Sequence, residues 1–320
     1  LLVSGGSLTV ASAGSSSGGE SAKGLKAGVN VTVEGGTIEV EAVDDAIHSN
    51  DSIVINGGEI LLASGDDGVH ADSLVEFNGV DLNITTSYEG IESQVIVIND
   101  GTIHLVASDD GISVSDGSGG LGMQASPGFN SAGTSGDLYL EINGGHIVIA
   151  AGGDGIDVNG SGSMNDGVVI LHGSAAQGTG SLDVDGMLET NGGFLVGAGG
   201  ASMAQSPSSA STQYSVLAVL PSTQPGGSLI HMESESGDDI LTFTPFGDYQ
   251  TVVISSPELE NGTTYLVYAG GSSTGTATDG LYDGGTYSAG TQVTSFTITS
   301  MVTGESTGMG GFGGGRRGRP

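Results

Sequence analysis

The chain has no cysteine and no tryptophan, and only 5 of its 320 residues are lysine or arginine. Without cysteine, neither a disulfide framework nor a thiolate site can form, and an extracellular setting is permitted without being demanded. Against so few bases stand 37 aspartates and glutamates, for a formal charge of -32. That balance argues against nucleic acid or an anionic membrane surface as a partner and makes cations the expected company. Aromatic residues are 5% of the chain, so its core has to be thin and built from valine, isoleucine and leucine. No apolar run approaches the roughly 20 residues of a membrane span.

What the chain does have is glycine, 61 residues of it, and a repeat. Asp44-Asp45-Ala46-Ile47-His48 is followed 22 positions later by Asp66-Asp67-Gly68-Val69-His70, then by Tyr88-Glu89-Gly90-Ile91-Glu92 and Asp109-Asp110-Gly111-Ile112-Ser113. Between these signatures lie short alternating apolar runs on either side of a glycine turn: Val31 and Val33 with Ile38 and Val40, then Ile53 and Ile55 with Ile60 and Leu62. Later copies carry Val75 and Phe77, Ile96 and Ile98, and Leu140 and Ile142. Alternation at period two reads as strand, and runs this short leave no room for a helix. The acid-bearing segment adds a third inward residue, such as Ile47, Val69 or Ile91. Three strands per repeat predict an all-β fold, a right-handed parallel β-helix of about 21–22 residues per turn. A leucine-rich repeat or a calcium-binding nonapeptide roll would show different spacings.

The β-helix is expected over 1–199, with loop insertions near 117–137 and 160–180 that serve either partner contact or nothing in particular. Asn56, Asn78, Asn99, Asn143 and Asn191 recur before the turn and are expected to stack and hydrogen-bond along the solenoid. Alternating runs from 215 to 298 predict a small antiparallel β unit over 200–303, capping the open end of the helix. A Gly/Arg-rich tail occupies 304–320.

In this register Asp45, Asp67, Glu89, Asp110 and Asp154 form one column, with Asp44, Asp66 and Asp109 beside them. Lys26, His48, His70, Glu92, Ser113, Asp157 and Asp183 form a second. At the roughly 4.8 Å between stacked strands, two carboxylates repel by roughly 0.9 kcal/mol in water and roughly 3.5 kcal/mol at an effective dielectric near 20. A counter-ion is the natural remedy, and hard oxygens at this spacing suit Ca²⁺. The candidate calcium ligands are therefore Asp44, Asp45, Asp66, Asp67, Glu89, Glu92, Asp109, Asp110, Asp154, Asp157 and Asp183; a solvated acidic face is the plainer alternative. His48 and His70, with adjacent aspartates, are a weaker candidate for Zn²⁺ or Ni²⁺. Free calcium high enough to fill weak sites is found outside cells, so a secreted, extracellular or cell-surface location is expected.

These Asp-Asp-Gly signatures, the segment Gly199-Gly200-Ala201-Ser202-Met203-Ala204-Gln205-Ser206-Pro207, Leu241-Thr242-Phe243-Thr244-Pro245, and Asp279-Gly280-Leu281-Tyr282 with Gly284-Gly285-Thr286-Tyr287 resemble a family of secreted bacterial carbohydrate-binding domain-containing proteins. The resemblance spans about residues 1–300. It implies a pectate-lyase-like β-helix that binds calcium and an acidic, polygalacturonate-like polysaccharide, with the calcium ligands on Asp45, Asp67, Glu89, Asp110, Asp154 and their neighbours.

Catalysis is not expected. A lyase needs a strong base beside its calcium, and only Lys23 and Lys26, at one extreme of the helix, are available; the many carboxylate pairs are explained by register without a tuned acid and base. The ends suggest a second class of function. Leu1, Leu2 and Val3 begin partway through a turn, and Phe312, Arg316, Arg317 and Arg319 form a basic tail. If that tail lay on a neighbour's acidic column, with the first turn stacked on its end, the chain would be a self-assembling subunit of an extracellular filament or matrix. A calcium-dependent polysaccharide binder and a homopolymeric structural subunit both remain open at this point.

Overall fold

The computed structural model describes residues 1–14, 22–116 and 138–304. The expected loop at 117–137 and the tail residues Phe312, Arg316, Arg317 and Arg319 lie outside the described residues. The chain is all-β: about seven turns of parallel solenoid are followed by antiparallel sheets.

Each turn presents three faces. The acid face stacks Leu25–Ala27, Ile47–Ser49, the starts of Val69–Thr86 and Ile91–Ala107, then Ile112–Val114, Ile156–Val158 and Leu182–Val184, all parallel. A second face runs from Leu2–Val3 through Asn30–Val33 and Ser52–Ile55 to Tyr139–Ile142, Ser161–Met164 and Leu188–Thr190. The third, here called the flank, includes Ser7–Ala11, Thr37–Ala42, Glu59–Ser64, His146–Ala151, Val168–His172 and Phe194–Gly199.

Alternation points every second side chain inward. Val31, Ile53, Val75, Ile96 and Leu140 stack in one column and Ile47, Val69, Ile91, Ile112 and Ile156 in another, all at most 1% exposed. Each such side chain contributes about 1.5–3 kcal/mol by leaving water. After Asp67 and Glu89 the glycine is a packing requirement, whereas Ala46 fills that position after Asp45. A Cβ on Gly90 would lie 2.4 Å from the Gly111 carbonyl oxygen, and one on Gly68 would lie 2.6 Å from that of Gly90.

The asparagine ladder forms as expected and is longer by one rung. Asn78, Asn99, Asn143, Asn165 and Asn191 each donate from Nδ2 to Oδ1 of the asparagine one turn earlier, at 2.7–3.2 Å. Asn165 belongs to a turn that the sequence suggested was a loop. The insertion expected at 160–180 is narrower: Ser161–Met164 and Val168–His172 are strands in register with their neighbours, and the extra residues follow His172.

The antiparallel unit also differs from a simple end cap. Phe194–Gly199 pairs antiparallel with Tyr249–Ser255, which pairs in turn with Ser215–Gln224, so parallel stacking is terminated on the flank. A six-stranded sheet then folds back along that flank and buries its outward side chains Val148, Ile170, Val196 and Ala198 together with Met232, Phe243 and Tyr265. His172, also on the flank, accepts the Phe246 N–H on Nδ1 and donates from Nε2 to the Asp279 carbonyl, and burial holds its pKa down at about 4.

Core and ladder differ in what they contribute. Ile98→Ala is expected to cost about 2–5 kcal/mol by opening a cavity, whereas Asn99→Ala, which breaks hydrogen bonds at the surface, costs about 1 kcal/mol. Denaturant unfolding monitored by circular dichroism checks that order.

Candidate functional site

The two acidic columns are built as the repeat implies. Lys26, His48, His70, Glu92, Ser113, Asp157 and Asp183 pair rung by rung along the acid face. Beside them, the N–H after each acid donates to the carbonyl of the acid one turn on: Ala46 to Asp67, Gly68 to Glu89, Gly90 to Asp110 and Gly111 to Asp154. One carboxylate oxygen of several rungs has a structural duty. Asp45 Oδ1 accepts the Asp67 N–H at 3.4 Å, Asp67 Oδ1 that of Glu89 at 3.3 Å, and Asp110 Oδ1 that of Asp154 at 2.7 Å. The remaining oxygens are the ones free for other chemistry.

Those oxygens fall into two regimes. In the first three rungs bases offset part of the charge, although burial and neighbouring carboxylates still raise Asp66 and push Asp67 up to about 6. Lys23 occupies the acid position of the first rung and bonds both Asp44 and Asp45. His48 Nδ1 lies 2.7 Å from Asp45 Oδ2, and His70 Nδ1 lies 3.1 Å from Asp67 Oδ2 and 3.4 Å from Glu92 Oε2. Burial opposes ionisation of Asp45, but the hydrogen bonds from His48 and Lys23 win and hold its carboxyl well below the usual range. Burial likewise disfavours charge on His70, and the bond to Asp67 with the Glu92 and Asp45 charges outweighs it, raising the imidazole. The groupings Asp45/His48/His70, Asp67/His70/Glu92 and Asp44/Asp45/Asp66 each bring three ligand atoms within 4.8 Å of one another.

Along the seam from Glu89 upward, His70 beside Glu92 is the one base that meets an acid, and Lys23 and Lys26 are the only lysines or arginines among the described residues. Burial, with the Glu92 and Asp67 charges, pushes Glu89 up to about 8. Burial and neighbouring carboxylates push Asp154 and Asp157 up to about 7 and raise Asp110. Burial also raises Asp183, whose Oδ1 accepts from Gln205 Nε2 at 2.8 Å, so that an amide ends the column. Glu89 Oε2 is buried with no hydrogen-bond partner. Tyr88, half exposed beside it, has its hydroxyl pushed up to about 12, first by a hydrogen bond to Asp109. A groove beside the seam is lined by His70, Asp72, Glu92, Gln94 and Asp116 among others.

A different cluster escaped sequence reasoning. His104 and His146 on the flank both meet Asp279 of the antiparallel unit. These residues are 133 or more positions from Asp279, and no local motif joins them.

Fold and site together define an acidic parallel β-solenoid with a carboxylate seam, partly offset by Lys23, His48 and His70 at one end and largely uncompensated at the other. A family model described as carbohydrate-binding domain-containing protein matches residues 1–68, the first turns of this solenoid. No curated protein and no solved structure matches the chain.

The seam makes stability depend on pH. Glu89 holds its proton up to about 8 in the fold against an ordinary 4.5, and Asp154 and Asp157 up to about 7 against 3.8. A raised acid favours the fold below its ordinary value and penalises it progressively as pH climbs to the raised one. Protein freed of divalent cations is therefore expected to melt at a higher temperature near pH 5 than near pH 8, with a shallower slope in Glu89→Gln. Thermal melts at constant ionic strength check this.

Proposed function

We propose that this protein is a non-catalytic binder of acidic polysaccharide that works outside the cell, with Ca²⁺ held on the uncompensated half of the seam. The observation that carries the reading is Glu89 Oε2, a buried carboxylate oxygen without a hydrogen-bond partner, three rungs beyond the lysine that begins its column. The donor set fits the ion: carboxylate oxygens are hard ligands, and two or more from adjacent turns meet the charge demand of a divalent cation. The residues that would hold it are Glu89, Glu92, Asp109, Asp110, Asp154, Asp157 and Asp183. Asp44 and Asp45 are the weaker candidates, because Lys23 already neutralises them.

Bound calcium would supply positive charge to which a uronate carboxylate can bind. The chain's own part is to keep the carboxylates in register, so that a polymer lying along the groove meets repeated sites. The match of residues 1–68 to a carbohydrate-binding family model supports a sugar as partner. The charge of -32 favours a cation-bridged anionic sugar over direct contact, and Tyr88 gives the seam one exposed ring against which a pyranose can stack.

Calorimetry with polygalacturonate in calcium and in EDTA tests the proposal. Binding is expected in calcium and absent in chelator, with no unsaturated uronate released. Glu89→Gln combined with Asp154→Asn should weaken calcium binding by about tenfold or more, on the scale of about 1.4 kcal/mol per decade. Lys23→Ala should leave the polysaccharide affinity within about twofold, since its ion pairs with Asp44 and Asp45, although largely buried, lie away from the proposed site. Uronan binding that is unchanged in EDTA would sink the calcium reading.

A further inference from the structure

We propose that His104, His146 and Asp279 form a site for a divalent transition-metal ion, with Zn²⁺ as its simplest occupant, which pins the antiparallel unit to the flank of the solenoid. The three residues come from distant parts of the chain. His104 lies in Ile91–Ala107, His146 opens His146–Ala151 one turn later, and Asp279 sits in the turn between Thr276–Thr278 and Leu281–Asp283. His104 Nε2 is 3.2 Å from Asp279 Oδ1 and His146 Nε2 is 3.1 Å from Oδ2, with one ligand atom from each residue inside a 4.8 Å cluster. Two ligands at about 2.0–2.2 Å from a shared ion stand about 3.0–3.4 Å apart, and each histidine lies at such a separation from one oxygen of Asp279.

The backbone presents the carboxylate independently of the two imidazoles. Asp279 is the one non-glycine residue with positive φ, 53°, among the described residues. Its carbonyl accepts from His172 at 3.0 Å, and the next carbonyl, that of Gly280, accepts the Thr244 N–H at 2.7 Å. An unfavourable left-handed conformation held from two sides aims the side chain at the flank. The His104 and His146 side chains are 38% and 36% exposed, which leaves further coordination positions open to water or a ligand. His146 also borders a groove containing Asp81 and Asp100, whose charge concentrates cations there. Two imidazoles and one carboxylate suit zinc, iron, nickel or copper and are a poor set for calcium. The site lies at the margin of the apolar interface formed by Val148, Ile170 and Val196, so filling it would couple metal binding to docking.

The test uses the full chain without a histidine tag, in a His48→Gln/His70→Gln background that removes the imidazoles of the acid seam. Zn²⁺ is titrated against a chromophoric chelator, and melting temperature is followed with and without the ion. One zinc ion per chain and a zinc-dependent rise in melting temperature are expected. Asp279→Asn tolerates the same backbone and should weaken zinc by at least about tenfold, as should His104→Gln combined with His146→Gln. Both variants should lose the thermal shift while melting normally without metal. A background protein that binds no zinc, or variants that bind it with unchanged stoichiometry and shift, would overturn the proposal. Calcium-dependent uronan binding should be unaffected by Asp279→Asn, and by His104→Gln with His146→Gln, when these are made with His48 and His70 intact, so this site and the seam fail or stand separately.

Discussion

Parallel strands stacked in register are the constraint from which the rest follows. Once successive turns hydrogen-bond residue to residue, each position of the repeat becomes a column of like side chains about 4.8 Å apart. For apolar residues this spacing is an advantage, because Ile on Ile fills the interior without voids. For asparagine it is equally favourable, since each amide carries both a donor and an acceptor and one rung satisfies the next. For carboxylates it is a penalty at every step, and the protein handles it differently along its length.

At one end Lys23, His48 and His70 are interleaved with Asp44, Asp45, Asp66 and Asp67, and the column offsets part of its own charge. At the other end Glu89, Asp110, Asp154, Asp157 and Asp183 are answered by neutral donors, namely backbone N–H groups, a serine, an asparagine and a glutamine. The raised carboxyl values there register an electrostatic debt that only protons or metal ions can cancel. This asymmetry leaves the larger share of uncompensated negative charge on the upper turns.

The flank shows the same logic with a different outcome. In its upper rungs the outward positions are apolar, Val148, Ile170 and Val196, and a solenoid face of that kind needs a cover. The antiparallel unit supplies it, and in doing so carries Asp279 to the two histidines at the edge of the covered area.

Much of this was legible in one dimension. The period, the inward Val/Ile/Leu columns, the asparagine ladder and both acid columns are properties of a local repeat, and a repeat stacks the same way wherever it starts. Reading by repeat also explains two misses: the strand before Asn165 is Ser161-Gly162-Ser163-Met164, with one large apolar residue, so its turn looked like an insertion, and the antiparallel strands carried no sign that they would lie along the flank. The sequence by itself determined which side chains share a column, because register follows from spacing. Only the tertiary structure decided which acids are neutralised and which are not, and that His104 and His146 meet Asp279. Those outcomes depend on where a lysine side chain reaches and on how a second sheet docks, and neither contact is encoded by periodicity.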